Sequence, residues 1–558
     1  MTDIASRPPL KTPLWLRIGG RVLAPLLVAV ALAFAFLREN ESRPLDFWSM
    51  NEDYSNVCLA HGLNIDFWLD SPRLSEGRKL TELNTFHPGF PLQATSWVAY
   101  RLSCMGKDSD ARTRCADTFA DPSAFWLTIR LIAIAAGIVC SAWCARAASA
   151  HGFCYAMAVG LFYFCYDPAW DYSIRLLGNE TFALPLAIAV AWLAGRSLAS
   201  EENRSALKWW AGWGAMCAVC WLNKLNYIAW TAAALPAWAV YFALRRPSIL
   251  QMGQRILVFT FGFIVAAFGF ASLLLGKGGL GQIVRTHFGV LTHSGSYGEG
   301  AARVVSVDAL QTALHSLMEF RYFLALAGAV CLISVWIVLS LVRSGKGAKS
   351  NATLIVYLLC AAGLFLAATL KHYGPHYLVA GVPAVTLLML CIGGHMGSKW
   401  RLLLSAAVVV VLVHSYRRYS VISNIRYRQT EEMKASLKSI NDLTSKPGDG
   451  VLWAYRLPEA RFGMEYTQLL TEIPEIGDLI DDQFPAQGLG FYSWKATIRD
   501  GRETVSLEKA RWRYAVFDAK LYRHFIAEPD ATAREFFEGK CKRIIDQPNL
   551  CVFERIAE

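Results

Sequence analysis

The chain is 558 residues long, 54% hydrophobic and only 18% charged, which excludes an ordinary soluble protein built around one core. Its formal net charge of +11 does not mark a nucleic-acid binder, because the basic residues fall largely in short loops between apolar runs and in a charge-mixed C-terminal part. Repeated apolar runs near the length that crosses hydrocarbon predict a polytopic α-helical membrane protein.

Residues 1–17 are polar, carry Arg7, Lys11 and Arg17, and are expected in the cytoplasm. A first span is predicted over 18–37; it has no small-residue cleavage site and reads as an anchor. A large outer loop, 38–124, follows, too long to be a simple connection and too rich in aromatic residues to read as disordered. Spans are then predicted over 125–145, 153–166 and about 180–195, with a turn holding Asp167, Asp171 and Arg175 between the last two. The stretch Trp209–Leu244 is long enough for two spans broken at Asn223-Lys-Leu-Asn226; one long span there would invert everything after it. A span over 256–275 leads to a second outer loop, 276–321, with His287, His293 and Tyr297. Four more are expected over 322–342, 352–370, 377–394 and 402–413.

Eleven spans place the N-terminus inside and the C-terminus outside. The charge of the short loops agrees: those assigned inside hold Arg146; Arg196, Arg204 and Lys208; Arg245, Arg246 and Arg255; Arg343, Lys346 and Lys349; and Lys399 and Arg401, against little beyond Arg175, Lys224 and Lys371 outside. Two domains result, a transmembrane one over 1–415 and an extracytoplasmic soluble α/β domain over 416–558. In the latter, Val451–Arg456 and Tyr514–Asp518 read as strands, 429–443 and 531–539 as helices, and Asp546-Gln-Pro-Asn549 as a turn between two short strands. Of fourteen cysteines, nine lie in apolar runs as ordinary packing. The outer pairs Cys104/Cys115 and Cys541/Cys551 are spaced for disulfides in an oxidising compartment, leaving Cys58 over.

Chemistry is expected at the outer face, where ionisable groups gather at the ends of the spans. The first loop offers the adjacent carboxylates Glu52 and Asp53, followed by Tyr54, and further on His87 in Phe86-His-Pro-Gly-Phe-Pro91. Asp167 and Asp171 are a second carboxylate pair; Arg175, Lys224, Lys371, His372 and His376 are the cations. Acids on two loops and bases on others suit a reaction in which a hydroxyl is activated and an anionic phosphate departs. Each has a plainer reading: the acidic pair as a solvated loop, His87 as the start of an interfacial helix, Lys224 as a snorkelling side chain, Asp167 and Asp171 as caps.

The motifs Asn51-Glu-Asp-Tyr54, Leu59-Ala-His-Gly62, Phe86-His-Pro-Gly-Phe-Pro91, the Asp167/Asp171 turn, Trp221-Leu-Asn-Lys-Leu-Asn226 and Lys371-His-Tyr-Gly-Pro-His-Tyr-Leu378 with Pro383 occur in an order that resembles the C-type (GT-C) glycosyltransferase superfamily, which includes protein O-mannosyltransferases and lipid A aminoarabinose transferases. The chain departs from it in having Asn before Glu-Asp, His-Pro-Gly for the common His-Pro-Pro, and Lys371 or a histidine in place of a late arginine. The resemblance implies a sugar donor carried on a polyprenyl phosphate and a single inverting displacement. Asp53 or Glu52 would be the base, and Lys224, Lys371, His372, His376 and Arg175 would face the departing phosphate. Tyr54 and His87 would position the first loop or the acceptor. It leaves open whether a divalent metal, magnesium or manganese, assists, and whether the acceptor is a glycolipid, a polysaccharide or a protein. The expected partners are membrane lipids and the donor, with no nucleic acid. The expected location is the cytoplasmic (inner) membrane. An O-antigen-type polymerase or ligase, or a lipid or sugar flippase, is the competing reading.

Overall fold

The computed structural model describes residues 14–41, 58–66, 89–106, 110–174, 177–200, 206–275, 279–293, 307–344, 349–372, 374–444, 451–453, 490–492, 497–500, 503–506, 508–509, 512–519, 522, 531–547 and 550–556. In chain order the helices are α1 (Leu14–Glu41), α2 (58–66), α3 (Phe90–Ser103), α4 (Ala111–Ala120), α5 (Ser123–Ala148), α6 (Phe153–Leu161), α7 (Asp167–Ile174), α8 (Ala183–Ala199) and α9 (Leu207–Asn223). They continue with α10 (Ala229–Ala232), α11 (Ala234–Arg245), α12 (Ile249–Leu275), α13 (Gly279–Thr292), α14 (Val307–Met318), α15 (Arg321–Ser344), α16 (Lys349–His372), α17 (Val382–Ile392) and α18 (Ser398–Thr444). Seven strands and one helix close the chain: β1 (Val451–Trp453), β2 (Gly490–Tyr492), β3 (Thr497–Asp500), β4 (Glu503–Ser506), β5 (Tyr514–Asp518), α19 (Ala531–Lys540), β6 (Cys541–Asp546) and β7 (Leu550–Arg555).

Among the described residues, nine helices are long and apolar enough to cross a membrane: Gly20–Glu39, Ser123–His151, Asn179–Ala199, Leu225–Arg245, Ile249–Ala271, Arg321–Arg343, Lys349–Lys371, Pro375–His395 and Ser398–Arg428. Their bare surfaces explain the need for lipid. On α12, Leu257, Phe261, Ile264, Val265 and Phe268 are all exposed, at the spacing of one helical face. A stripe of this kind is stable only against hydrocarbon. The remaining two of the eleven expected spans are present as shorter elements. Phe153–Cys165 is apolar but spans 13 residues, its end tightening into a 3₁₀ turn, and α9 has 17. The expected break at Asn223-Lys-Leu-Asn226 is there: α9 stops at Asn223, Lys224 is extended (φ −165°, ψ 150°), and a 3₁₀ turn Leu225–Ile228 restarts the helix. The second outer loop, 276–321, contains α13 and α14.

The chain divides into two compact units: residues 1–41, 84–92 and 131–420, and residues 42–83, 93–130 and 421–558. The first is the helical membrane unit. Pro375–His395 has 83% of its most apolar window buried, against 22% for Ile249–Ala271, so the former runs through the interior and the latter along the rim. α9 and α12 meet backbone to backbone: a Cβ on Gly214 would strike the Phe259 carbonyl, and one on Gly262 the Ala211 carbonyl. Small residues at a helix crossing are what permit such an approach.

In the second unit, α2 lies on α3 through Gly62, whose Cβ would sit 3.0 Å from Tyr100 Cβ and 3.1 Å from the Ser96 carbonyl. Asp66, buried, accepts from Arg114 Nη2 at 2.7 Å and Nε at 3.1 Å and from Arg101 Nη1 at 3.0 Å, which ties α2 to α4 and α3. Parts of the first outer loop are therefore folded. The C-terminal strands form one sheet in the order β4-β3-β2-β1-β5-β7-β6, with β1 parallel to β2 and β5 and the other pairs antiparallel. Val516, Phe517, Val552 and Phe553 form its core with Phe537 of α19. The turn expected at 546–549 joins β6 and β7, with Gln547 N donating to the Leu550 carbonyl at 2.8 Å. α18 is continuous from Ser398 to Thr444.

The disulfide expectation is corrected. All fourteen cysteines are thiols. On the β6–β7 ladder Cys541 is opposite Arg555 and Cys551 is opposite Asp546, several rungs of about 3.4 Å apart and out of bonding reach. Cys104 lies 3.9 Å from the Thr118 hydroxyl and within electrostatic range of Cys115, both as thiols. Cys58 is fully buried, and burial pushes its thiol up to about 12, so it is inert rather than spare.

Candidate active site

Where α9 breaks, its last residues turn inward instead of continuing to lipid. Lys224 Nζ is 2.5 Å from Glu180 Oε1, and both side chains are buried, Glu180 completely. Glu180 sits in a 3₁₀ turn, Asn179–Phe182, at the entrance of α8. Two charges in an apolar interior persist only when paired and hydrogen-bonded. The surroundings supply that. Asn223 Nδ2 and Tyr227 Oη donate to the Asn179 carbonyl at 2.8 and 3.2 Å, and Asn226 Nδ2 donates to the Tyr377 carbonyl at 3.3 Å. The Lys224 ammonium lies 4.5 Å from the centre of the Tyr377 ring, a cation–π contact that is stronger out of water. His376, its ring tilted 37° against that of Tyr377 with centroids 4.1 Å apart, is within electrostatic range of both Lys224 and Glu180.

A second charged group adjoins this one. Arg418 of α18 makes ion pairs with Asp167 Oδ2 at 2.9 Å and Glu319 Oε2 at 2.5 Å, and its guanidinium lies 4.5 Å from the Phe320 ring centre. Burial pushes the Asp167 carboxyl up to about 6, outweighing the attraction of Arg418 beside it. Tyr166, next to Asp167, donates its hydroxyl to the carbonyl of Pro375, next to His376, at 2.5 Å. That bond joins the two groups. Asp171 follows Asp167 one turn later on α7.

Of the expected site residues, the structure brings Lys224 together with His376, and Asp167 and Asp171 with the segment carrying His376. Lys371 is turned elsewhere: its ammonium donates to the Leu291 carbonyl in the last turn of α13, the end of a helix that attracts cations. His372 is the last residue of α16, and its side chain lies outside the described residues. Glu52, Asp53, Tyr54, His87 and Arg175 also lie outside them. Gly89, two residues after His87, donates its N–H to the Asn223 carbonyl at 3.2 Å, so the His-Pro-Gly segment ends against the Lys224 break. His287 is buried with its ring 5.5 Å from Trp221, and desolvation lowers it to about 4, a packed neutral histidine. Among the described residues, no group of three or more His, Cys, Asp or Glu stands together as a metal site.

The span predicted from about residue 180 begins at Glu180, but that prediction gives the carboxylate no partner. Opposite charges at the same end of two apolar runs were the available signal. Arg418 had none, since Arg417 beside it looks the same and only the helical face tells them apart. As a chemical device, the arrangement holds a neutralised lysine inside the protein. An ammonium has three N–H donors, so an anionic oxygen can share it with Glu180.

No protein-family model matches the chain, and no curated protein matches it by sequence. Among solved structures it is similar to ArnT from Cupriavidus metallidurans bound to undecaprenyl phosphate, with a TM-score of 0.49 and 13% identity over 97% of this chain and 99% of that one. The apo state of the same protein gives 0.48 and 13% over 95% and 97%. The archaeal oligosaccharyltransferase AglB from Archaeoglobus fulgidus, in complex with an inhibitory peptide and a dolichol-phosphate, gives 0.42 and 10% over 91% and 70%.

Proposed function

We propose that the chain is a GT-C-like membrane glycosyltransferase that moves a sugar from a polyprenyl phosphate to an acceptor hydroxyl at the outer face of the cytoplasmic membrane, by inverting displacement. The observation that carries the reading is the buried Lys224–Glu180 pair with Tyr377 and His376 beside it. A buried ion pair gains little over the cost of desolvating it, so one kept inside an apolar bundle points to function, and an anionic lipid headgroup is a ligand that would use the lysine. Asp53, or Glu52, takes the acceptor proton as its oxygen attacks the anomeric carbon. The bond from that carbon to the phosphate oxygen breaks, and Lys224, with His376 when protonated, stabilises the departing phosphate. Asp167, held by Arg418, and Asp171 are a second acidic group. Arg175, Lys371 and His372 are further cations for the headgroup phosphate. Tyr54 and His87 position the first loop.

In this reading Phe153–Cys165 and α9 complete eleven crossings, with the C-terminal unit outside. Nine crossings give the same outcome, because dropping both elements changes the count by an even number and reverses only Asn179–Ala199. The Arg196, Arg204 and Lys208 group after that helix favours eleven.

The test is turnover of polyprenyl phosphate sugars by purified protein with a membrane extract as acceptor. Asp53→Asn should lower it by about 10²–10⁴-fold, the share expected of a lost general base. Loss only in Glu52→Gln would move the base by one residue. Full activity in both variants would remove the base from this pair, and no sugar release from any donor by the folded wild type would replace the transferase with the polymerase or flippase reading.

A further inference from the structure

The C-terminal sheet has a feature the transfer reaction does not use. β5 begins, β6 begins and β7 ends at the same end of the sheet, because β7 runs antiparallel to both neighbours. The side chains at these ends surround a groove of about 650 Å³ lined by Trp512, Arg513, Lys540, Lys542, Glu554 and Arg555. Four cations line it, Lys540 and Arg555 on the side of Trp512 and Phe536 and Arg513 and Lys542 on the side of Glu554, with Glu508 at its margin. A solvated basic patch would leave these groups on loose stems. Here three of the four are held. Arg555 lies over the Trp512 ring at 5.6 Å and the Phe536 ring at 5.8 Å, and its Nη2 donates to the Glu508 carbonyl at 2.7 Å. Arg513 donates through Nε and Nη2 to Glu554 Oε1 at 3.2 and 3.1 Å, and Lys540 pairs with Glu508 at 3.0 Å. Trp512, buried against Phe536 and Phe537, is the fixed floor. Lys542, exposed on the edge strand, stands on the rung opposite Glu554.

Two anchored guanidinium groups and two ammonium groups around one concavity have the composition of a phosphate site: planar forks for bidentate contact, with point charges beside them. We propose that this groove binds the phosphate groups of an anionic glycan or glycolipid, and so selects the acceptor. The selection step rests on the transferase reading, whereas the binding step stands apart from it. The shared ligand chemistry is a phosphate ester, carried either by a sugar or by a lipid headgroup.

The experiment uses the full chain in phosphatidylcholine nanodiscs, titrated calorimetrically with glucose 1,6-bisphosphate and with glucose. The bisphosphate should bind and glucose should not, and binding should weaken as salt rises. Lys542→Glu, at an exposed edge position, should weaken binding about tenfold, the loss of one charge-assisted contact, and Lys540→Ala should weaken it in the same direction. If adding phosphatidylglycerol to the disc displaces the sugar phosphate from the wild type but not from Lys542→Glu, the source of the phosphate is a lipid headgroup. Equal binding with and without that lipid makes it a phosphorylated sugar. Binding that is equal for bisphosphate and glucose, or unchanged in both variants, overturns the site. Asp53→Asn should bind the bisphosphate as the wild type does, so failure of the groove and failure of the enzyme reading give different results.

Discussion

Replacing Lys224 by Met leaves Glu180 fully buried with its counter-charge removed. The pair is direct, 2.5 Å from Nζ to Oε1, and burial of the carboxylate is complete, so no water can take the ammonium's place. Breaking one side of such a pair costs about 3–5 kcal/mol, which is roughly two to four powers of ten in the folded-to-unfolded ratio. Replacing both partners, as in Lys224→Met with Glu180→Leu, removes the desolvation cost along with the attraction and should be less damaging than Lys224→Met alone. Equilibrium unfolding in mixed micelles, run as a double-mutant cycle, measures the difference. Donor KM separates stability from function: Glu180→Gln should keep it near that of the wild type because the cation remains, whereas Lys224→Met should raise it. A double variant as unstable as the sum of the two singles would refute the claim that these charges depend on each other.

The remaining predictions concern pH and helix contact. The Asp167 carboxyl is raised by burial from 3.8 to about 6, so between these values the folded protein holds a proton that the unfolded chain has given up. Stability therefore falls as pH rises from about 4 to about 6 and levels off above; Asp167→Asn should flatten that slope in unfolding experiments at pH 4.5 and 7. Gly214→Ala or Gly262→Ala places a methyl group against a backbone carbonyl at the α9–α12 crossing, where neither partner can swing aside. Each should lower the detergent melting temperature, by an amount corresponding to an overpacking cost of about 1–3 kcal/mol. The same substitution at Gly253, which has open space around it, should not.

The membrane helices were legible because crossing hydrocarbon is a one-dimensional problem: a run of apolar residues of sufficient length announces itself whatever its neighbours are. The break at Asn223-Lys-Leu-Asn226 was legible for the same reason, since polar residues inside an apolar run must turn towards something. So were the β6–β7 turn and the strand Tyr514–Asp518. What Lys224 turns towards was not. Glu180, Tyr377 and His376 come from segments 44 to 153 residues away along the chain, and only the packing of α8, α9 and the Pro375–Ala380 turn sets the pair at 2.5 Å. Arg418 and Lys371 make the point from opposite sides. One, unremarked in sequence, grips Asp167 because its face of α18 points inward. The other, expected at a phosphate from its position, donates to the end of α13, a contact the sequence does not announce. Cys541 and Cys551 are ten residues apart in sequence, yet the antiparallel ladder sets them at opposite ends of one hairpin. Apolar length and local turn chemistry are properties of a segment and can be read from it; which charges meet is a property of how segments pack, and the tertiary structure alone decided it.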